Sequence, residues 1–220
     1  MGDGASGRRG GNVSAILCCG MIRSGSTVLY QIASAVVELR GIGRRCGYYE
    51  PPHEPVNSGQ WLVDGGQNHQ PPATDHQPPA WSVYKVPWLC HREKEMLRDG
   101  SAIALYSYRD IEDALDSAYR AFQVPDGDRW LHRALTEAHV AQMDGMPKDV
   151  GAVLHIPFRE IRDKLWVVIA SVADWLPGCG LTVEEIDAIA ADLALERQKA
   201  RPKIAPFDPE TLILANHFSE

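Results

Sequence analysis

The sequence predicts one α/β domain, a three-layer sandwich in which helices cover both faces of a mainly parallel sheet. Short apolar runs alternate along the chain with longer segments of helical periodicity, which is the pattern of strands joined by crossover helices. The first apolar run ends on a glycine and passes directly into a helix, so a tight turn joins the two. With 220 residues, 45% of them hydrophobic, the chain can bury a substantial core without disulfide staples.

Each element has its own signature. Residues 1–13 are Gly-rich and lack an apolar run; they predict a flexible leader, with the domain itself over 14–220. Gly2 and Ser6 also fit the loose pattern for N-myristoylation, but a plain tail explains them. Residues 14–19 (SAILCC) read as a buried strand closed by Gly20. Residues 26–39 (STVLYQIASAVVEL) place apolar side chains at helical spacing, and Gly41 and Gly43 end that helix. A second short strand is expected at 45–49. Residues 50–80 are crowded with Pro, Gly, Gln and His, which no regular element tolerates. They predict a long loop, either an ordered lid or a disordered segment.

Residues 81–86 (WSVYKV) form a predicted third strand, ended by Pro87. A short helix is expected at 91–98. Residues 101–108 (SAIALYSY) are the clearest strand in the chain. Helices are expected at 110–122, 129–143, 159–176 and 183–201, and a fifth strand at 152–156. Residues 202–220 read as extended or irregular.

Charge and cysteine usage narrow the function classes. The net charge of −7 argues against a general nucleic-acid binder, which needs clustered Lys and Arg to neutralise phosphates. It leaves room for a nucleotide, which a few basic groups can hold. Cys18, Cys19, Cys46, Cys90 and Cys179 are odd in number and scattered, so they predict thiols in a reducing, cytoplasmic compartment rather than a disulfide framework. No apolar run approaches the roughly 20 residues that span a bilayer, so no membrane partner is expected.

Two motifs carry chemistry. GMIRSGST at 20–27 lies between the first strand and the first helix. A turn there aims backbone N–H groups and the positive end of a helix dipole at one point, which favours an anion. The glycines at 20 and 25 and the hydroxyl of Thr27 fit the G-x4-G-K-[ST] phosphate loop, but Ser26 stands at the lysine position and the cation is Arg23. Losing that lysine argues against a kinase or nucleotide hydrolase. An arginine inside the loop suits a sulfonyl group, whose oxygens accept its parallel hydrogen bonds. A plain Gly-rich turn remains the alternative.

The second motif is LYSYRDIEDALDSAYR at 105–120. Arg109 stands at the carboxyl end of the clearest strand, the edge where open α/β sheets bind ligands. Ser117 follows two helical turns later and can face the same side. The pair either holds a second phosphate, or Arg109 is a surface cation paired with Asp110 or Asp113.

The two motifs, in this order, resemble those of the sulfotransferase family that uses 3′-phosphoadenosine 5′-phosphosulfate (PAPS) and releases 3′-phosphoadenosine 5′-phosphate (PAP). GMIRSGSTVLYQI is similar to the family's 5′-phosphosulfate loop, and YSYRDIEDALDSAYR to its 3′-phosphate motif. FDPETLILANHFS near the C-terminus resembles a tail of a small microbial branch. The resemblance implies a P-loop-like fold and transfer of a sulfonyl group to a hydroxyl or amine of a small acceptor, with no metal. It implies that Arg23, Ser24, Gly25, Ser26 and Thr27 meet the 5′ side, and Arg109 and Ser117 the 3′-phosphate.

The family's third strand commonly carries Lys-x-His, with the His as general base. Here Lys85 fits, but Pro87 stands in place of the His and cannot accept a proton. Arg23 and Lys85 can stabilise the charge that develops during transfer. Glu50, at the end of the second strand, resembles the catalytic Glu of heparan-type sulfotransferases and is the first candidate base. His53 and His91 are further candidates beside the acceptor. Trp88, with Trp61 and Trp81, flanks the same side and could stack on an acceptor ring. His69 and His76 lack metal-ligand spacing. Two rival functions stay open: a P-loop kinase or nucleotide hydrolase, and a catalytically silent nucleotide-binding protein of the same fold.

Overall fold

The computed structural model describes residues 15–49, 81–86, 89–144 and 153–200. The predicted leader, the long loop at 50–80, Pro87, Trp88 and the segment after 200 lie outside the described residues.

Within that set the strands are β1 (Ala15–Gly20), β2 (Gly43–Tyr48), β3 (Trp81–Lys85), β4 (Ala102–Tyr108) and β5 (Val153–Pro157). They form one sheet in the order β2-β3-β1-β4-β5, and each neighbouring pair is parallel. The expected parallel α/β architecture is therefore present. Parallel pairing puts every carboxyl end on one edge. The chain leaves β1 toward β2 on one side and leaves β4 toward β5 on the other. The loops after these two adjacent strands diverge, and a crevice opens between them.

Helices α1 (Ser26–Leu39), α6 (Leu165–Trp175) and α7 (Val183–Ala200) cover one face. Helices α2 (His91–Asp99), α3 (Ile111–Phe122) and α4 (Arg129–Asp144) contribute to the other. β1 shows why its sequence is apolar throughout. Ile16 and Cys18 pack into the core under α1, while Ala15, Leu17 and Cys19 pack under α2 and α4. A strand buried on both faces has no polar side. No helix among the described residues is long and apolar enough to cross a membrane.

Two elements differ from the sequence expectation. The single helix expected at 159–176 is two, α5 (Phe158–Asp163) and α6, broken at Lys164, where φ is −137°. The break lets α5 turn Ile161 and Phe158 toward the glycine turn while α6 sends Val168, Ile169 and Val172 into the core. No Gly or Pro marks it. The second strand starts at Gly43 and is irregular, with its register to β3 shifting between Arg45 and Tyr48 around left-handed Gly47 (φ 78°).

Candidate functional site

The turn between β1 and α1 is clamped to β4. Gly20 stands opposite Ser107 in the ladder, and a Cβ on Gly20 would lie 2.1 Å from Ser107 Oγ. Only glycine fits there. Ser24 Oγ lies 2.7 Å from the Met21 carbonyl, 3.0 Å from the Ser107 carbonyl and 2.8 Å from Ser107 Oγ. Its one proton goes to a carbonyl, and the Ser107 hydroxyl donates back to it. The Met21 N–H donates to the Ser107 carbonyl at 3.2 Å, and the Ser24 N–H to the Met21 carbonyl at 3.2 Å. Both polar groups of Ser24 thus serve the loop itself.

Arg23 (φ 58°) and Gly25 (φ 88°) are both left-handed. For Gly25 this costs little; for Arg23 it costs on the order of 1 kcal/mol and is held by the surrounding bonds. α1 begins at Ser26 with no side-chain cap on Gly25 and no acid in its first turn. Its positive end faces the crevice, uncompensated by a carboxylate of its own.

Three cations converge around this turn. Arg23 Nε donates to Ser117 Oγ at 3.1 Å, and Ser117 is buried on α3. Lys85, at the end of β3, donates from Nζ to Ser26 Oγ at 2.5 Å. The amine missing from the loop's own sequence is therefore delivered from a neighbouring strand. Burial of Lys85 pushes its pKa down to about 8. Arg109 follows β4, with its guanidinium 4.6 Å from the centre of the Phe158 ring. The backbone N–H of Arg109 points at Met21 Sδ, 3.4 Å away. Strand β4 and α5 thus place this cation beside the same turn.

Of the two acids that could pair with Arg109, Asp110 is the N-cap of α3, accepting from the N–H groups of Glu112 (3.0 Å) and Asp113 (3.1 Å). Asp113 does form an i,i+4 ion pair with Arg109, a loose one at 4.0 Å from Oδ2 to Nε with the Asp113 side chain exposed.

The structure brings Arg23, Ser24, Gly25, Ser26, Lys85, Arg109 and Ser117 to one edge of the sheet, with Thr27 in the first turn of α1. His91 starts α2 after β3; its side chain is 85% exposed, with Nε2 3.7 Å from Glu95 on the same helix. Trp81 is corrected: it packs in the core under α1 and is not available to an acceptor ring. Glu50, His53, Trp61 and Trp88 lie outside the described residues.

Sequence reasoning missed Ser107. The signal for Ser107 was present: a hydroxyl inside an apolar strand buried on both faces needs a partner.

No protein-family model matches the sequence, and no curated protein sequence matches it. Solved structures do. One is retinol dehydratase in a complex with retinol and PAP, with a TM-score of 0.52 and 18% identity over 84% of this chain and 66% of that one. A second is retinol dehydratase with androsterone and inactive cofactor PAP, with a TM-score of 0.54 and 18% identity over 86% of this chain and 66% of that one. A third is the mouse sulfotransferase SULT7A1 complexed with PAP, with a TM-score of 0.52 and 11% identity over 94% of this chain and 72% of that one. The chain spans 66% of the length of the retinol dehydratase chains. The likeness establishes the fold: the chain has the α/β architecture of these structures.

Proposed function

We propose that this chain binds PAPS across the β1–β4 crevice and transfers its sulfonyl group to a hydroxyl or amine of a small acceptor. The observation that carries this reading is the hydrogen bond from Arg23 Nε to Ser117 Oγ. It links the two motifs, 94 residues apart, at one point. An anion bound at Ser117 is therefore also within the field of the loop that would hold a second one.

The chain's own groups fit a nucleotide with phosphates at both ends. Gly20 lets the turn sit tight against Ser107 of β4, which fixes the turn's position. The first turn of α1, at Ser26 and Thr27, offers backbone N–H groups and the helix dipole to the 5′ side. Ser24 and Gly25 shape that turn. Ser117 accepts from Arg23, and its hydroxyl is the group this reading sets against the 3′-phosphate. Arg109 supplies the formal charge beside it. The nucleotide, when bound, supplies the sulfonyl group and a phosphate leaving group. Arg23 and Lys85 then lie where negative charge builds during transfer, and they are preorganised by Ser117 and Ser26.

The solved structures similar to this chain hold PAP, which supports a nucleotide of that class as the ligand. The acceptors printed for retinol dehydratase, retinol and androsterone, suggest small apolar alcohols as the first acceptors to try.

The test is radiolabel transfer from [35S]PAPS to a panel of phenols, alcohols and amines, run beside calorimetry with PAP. We expect PAP binding and transfer to at least one acceptor. Mg²⁺-dependent ATP turnover without PAP binding would instead establish a kinase or hydrolase. PAP binding without transfer to any acceptor would support the silent binding protein.

A further inference from the structure

Arg109 supplies the charge set against a 3′-phosphate, yet little in the way of hydrogen bonding fixes it. Among the described residues its guanidinium has only the loose Asp113 ion pair as a polar partner, at 4.0 Å. A long cationic side chain left to move gives up part of its binding energy to ordering. The Arg109 side chain is nonetheless only 16% exposed, so something covers it.

The cover is Phe158, and the sheet register puts it there. In the β4–β5 ladder Tyr108 stands opposite Pro157. The next residues of these two parallel strands, Arg109 and Phe158, therefore leave the sheet side by side. Pro157, with φ −70° and ψ 140°, closes β5 and hands the chain straight to α5. The half-buried Phe158 ring has its centre 4.6 Å from Arg109 Cζ, inside the roughly 6 Å over which an aromatic face attracts a cation. The same ring reaches the phosphate turn, where a Cβ on Gly25 would lie 3.2 Å from Phe158 Cδ2. The backbone N–H of Arg109 points at Met21 Sδ in that turn, 3.4 Å away. One ring thus touches both motifs, and Arg109 is held at its backbone and at its guanidinium.

The kind of contact matters. A ring attracts a cation through its quadrupole and accepts none of the guanidinium's N–H groups in the way a carboxylate does. Those donors stay available to the oxygens of a phosphate. Asp113, one turn into α3 and exposed, would compete for the same donors.

We propose that Phe158 is a positioning residue, which holds the Arg109 guanidinium beside the phosphate turn and so sets a preference for a nucleotide with a 3′-phosphate as well as a 5′ group. This rests on the nucleotide reading above. With the ring in place, Arg109 meets the second phosphate without first leaving a carboxylate. Without it, Asp113 draws the guanidinium toward solvent, and the 3′ side loses its cation while the 5′ side keeps its turn.

Calorimetry of PAP and adenosine 5′-phosphate against the full chain tests this, with Phe158→Leu, Phe158→Tyr and Asp113→Asn. Leucine keeps an apolar side chain and removes the ring face. We expect Phe158→Leu to weaken PAP at least about fivefold and to leave adenosine 5′-phosphate within about twofold of the wild type. Phe158→Tyr, which keeps the face, should bind PAP within about twofold of the wild type. Adding Asp113→Asn to Phe158→Leu should recover at least about half of the lost PAP affinity, because the competing carboxylate is gone. If Phe158→Leu does not fold, Phe158→Met carries the same expectations. A ring that only fills space, or that packs on the base, would weaken both nucleotides alike, and that result overturns the proposal. So does a Phe158→Leu variant that keeps the wild-type preference for PAP, or a double variant no better than Phe158→Leu. Failure of the wild type to bind PAP removes the nucleotide reading itself, which sets that failure apart from the others.

Discussion

At the residue scale, Lys85 makes the site's most readable pH signature. Its pKa is near 8 because burial disfavours the ammonium. An anion bound at Ser26 favours the charged form, so affinity is highest while Lys85 is protonated, below about pH 8. Above it, each binding event must take up a proton, and PAP affinity should fall by up to about tenfold from pH 7 to pH 9. Calorimetry in buffers of different ionisation enthalpy would show the proton uptake, and Lys85→Met should flatten the curve. A slope that survives in Lys85→Met would place the titrating group elsewhere. Arg23, Arg109 and Ser117 were legible as residues because cations and a hydroxyl at these spacings have few uses. Their mutual geometry was not legible: Arg23 was expected to meet only the 5′ side, yet it touches Ser117. The contact of Lys85 with Ser26 was hidden for the same reason, since tertiary packing of β3 against α1 creates it.

At the element scale, the turn between β1 and α1 is the part that tolerates least change. A methyl at Gly20 would overlap Ser107 Oγ and the Ser107 carbonyl, 2.1 and 2.7 Å away. The bonds joining the turn to β4 would have to open. Gly20→Ala should cost about 2 kcal/mol and weaken PAP binding as well. Urea unfolding with an unchanged slope and a lower midpoint would show the first effect. A midpoint equal to the wild type would mean the turn can move away from β4. Most elements were legible here because β1 and β4 are largely apolar and α1 and α3 carry a periodic apolar face. The break at Lys164 was not, because it follows from α5 and α6 facing different neighbours rather than from any local breaker.

At the scale of the whole molecule, strand order explains why the site exists. β1 and β4 are neighbours, and their exits diverge. One motif follows each strand, so residues far apart in sequence meet at one edge. The alternation of strands and helices made the parallel sheet legible. The order β2-β3-β1-β4-β5 was not, because pairing depends on which hydrophobic faces meet.

The central claim is that two anion sites hold opposite ends of one nucleotide. The most direct test is calorimetry of PAP, adenosine 5′-phosphate and adenosine 3′-phosphate against the wild type and Arg109→Ala. Charged hydrogen bonds of this kind contribute roughly 1.5–3 kcal/mol each, so PAP should bind the wild type at least about tenfold more tightly than either monophosphate. Arg109→Ala should bring PAP down to the level of adenosine 5′-phosphate and leave the latter nearly unchanged. Equal affinities for PAP and adenosine 5′-phosphate in the wild type, or an Arg109→Ala variant that still prefers PAP, would contradict it.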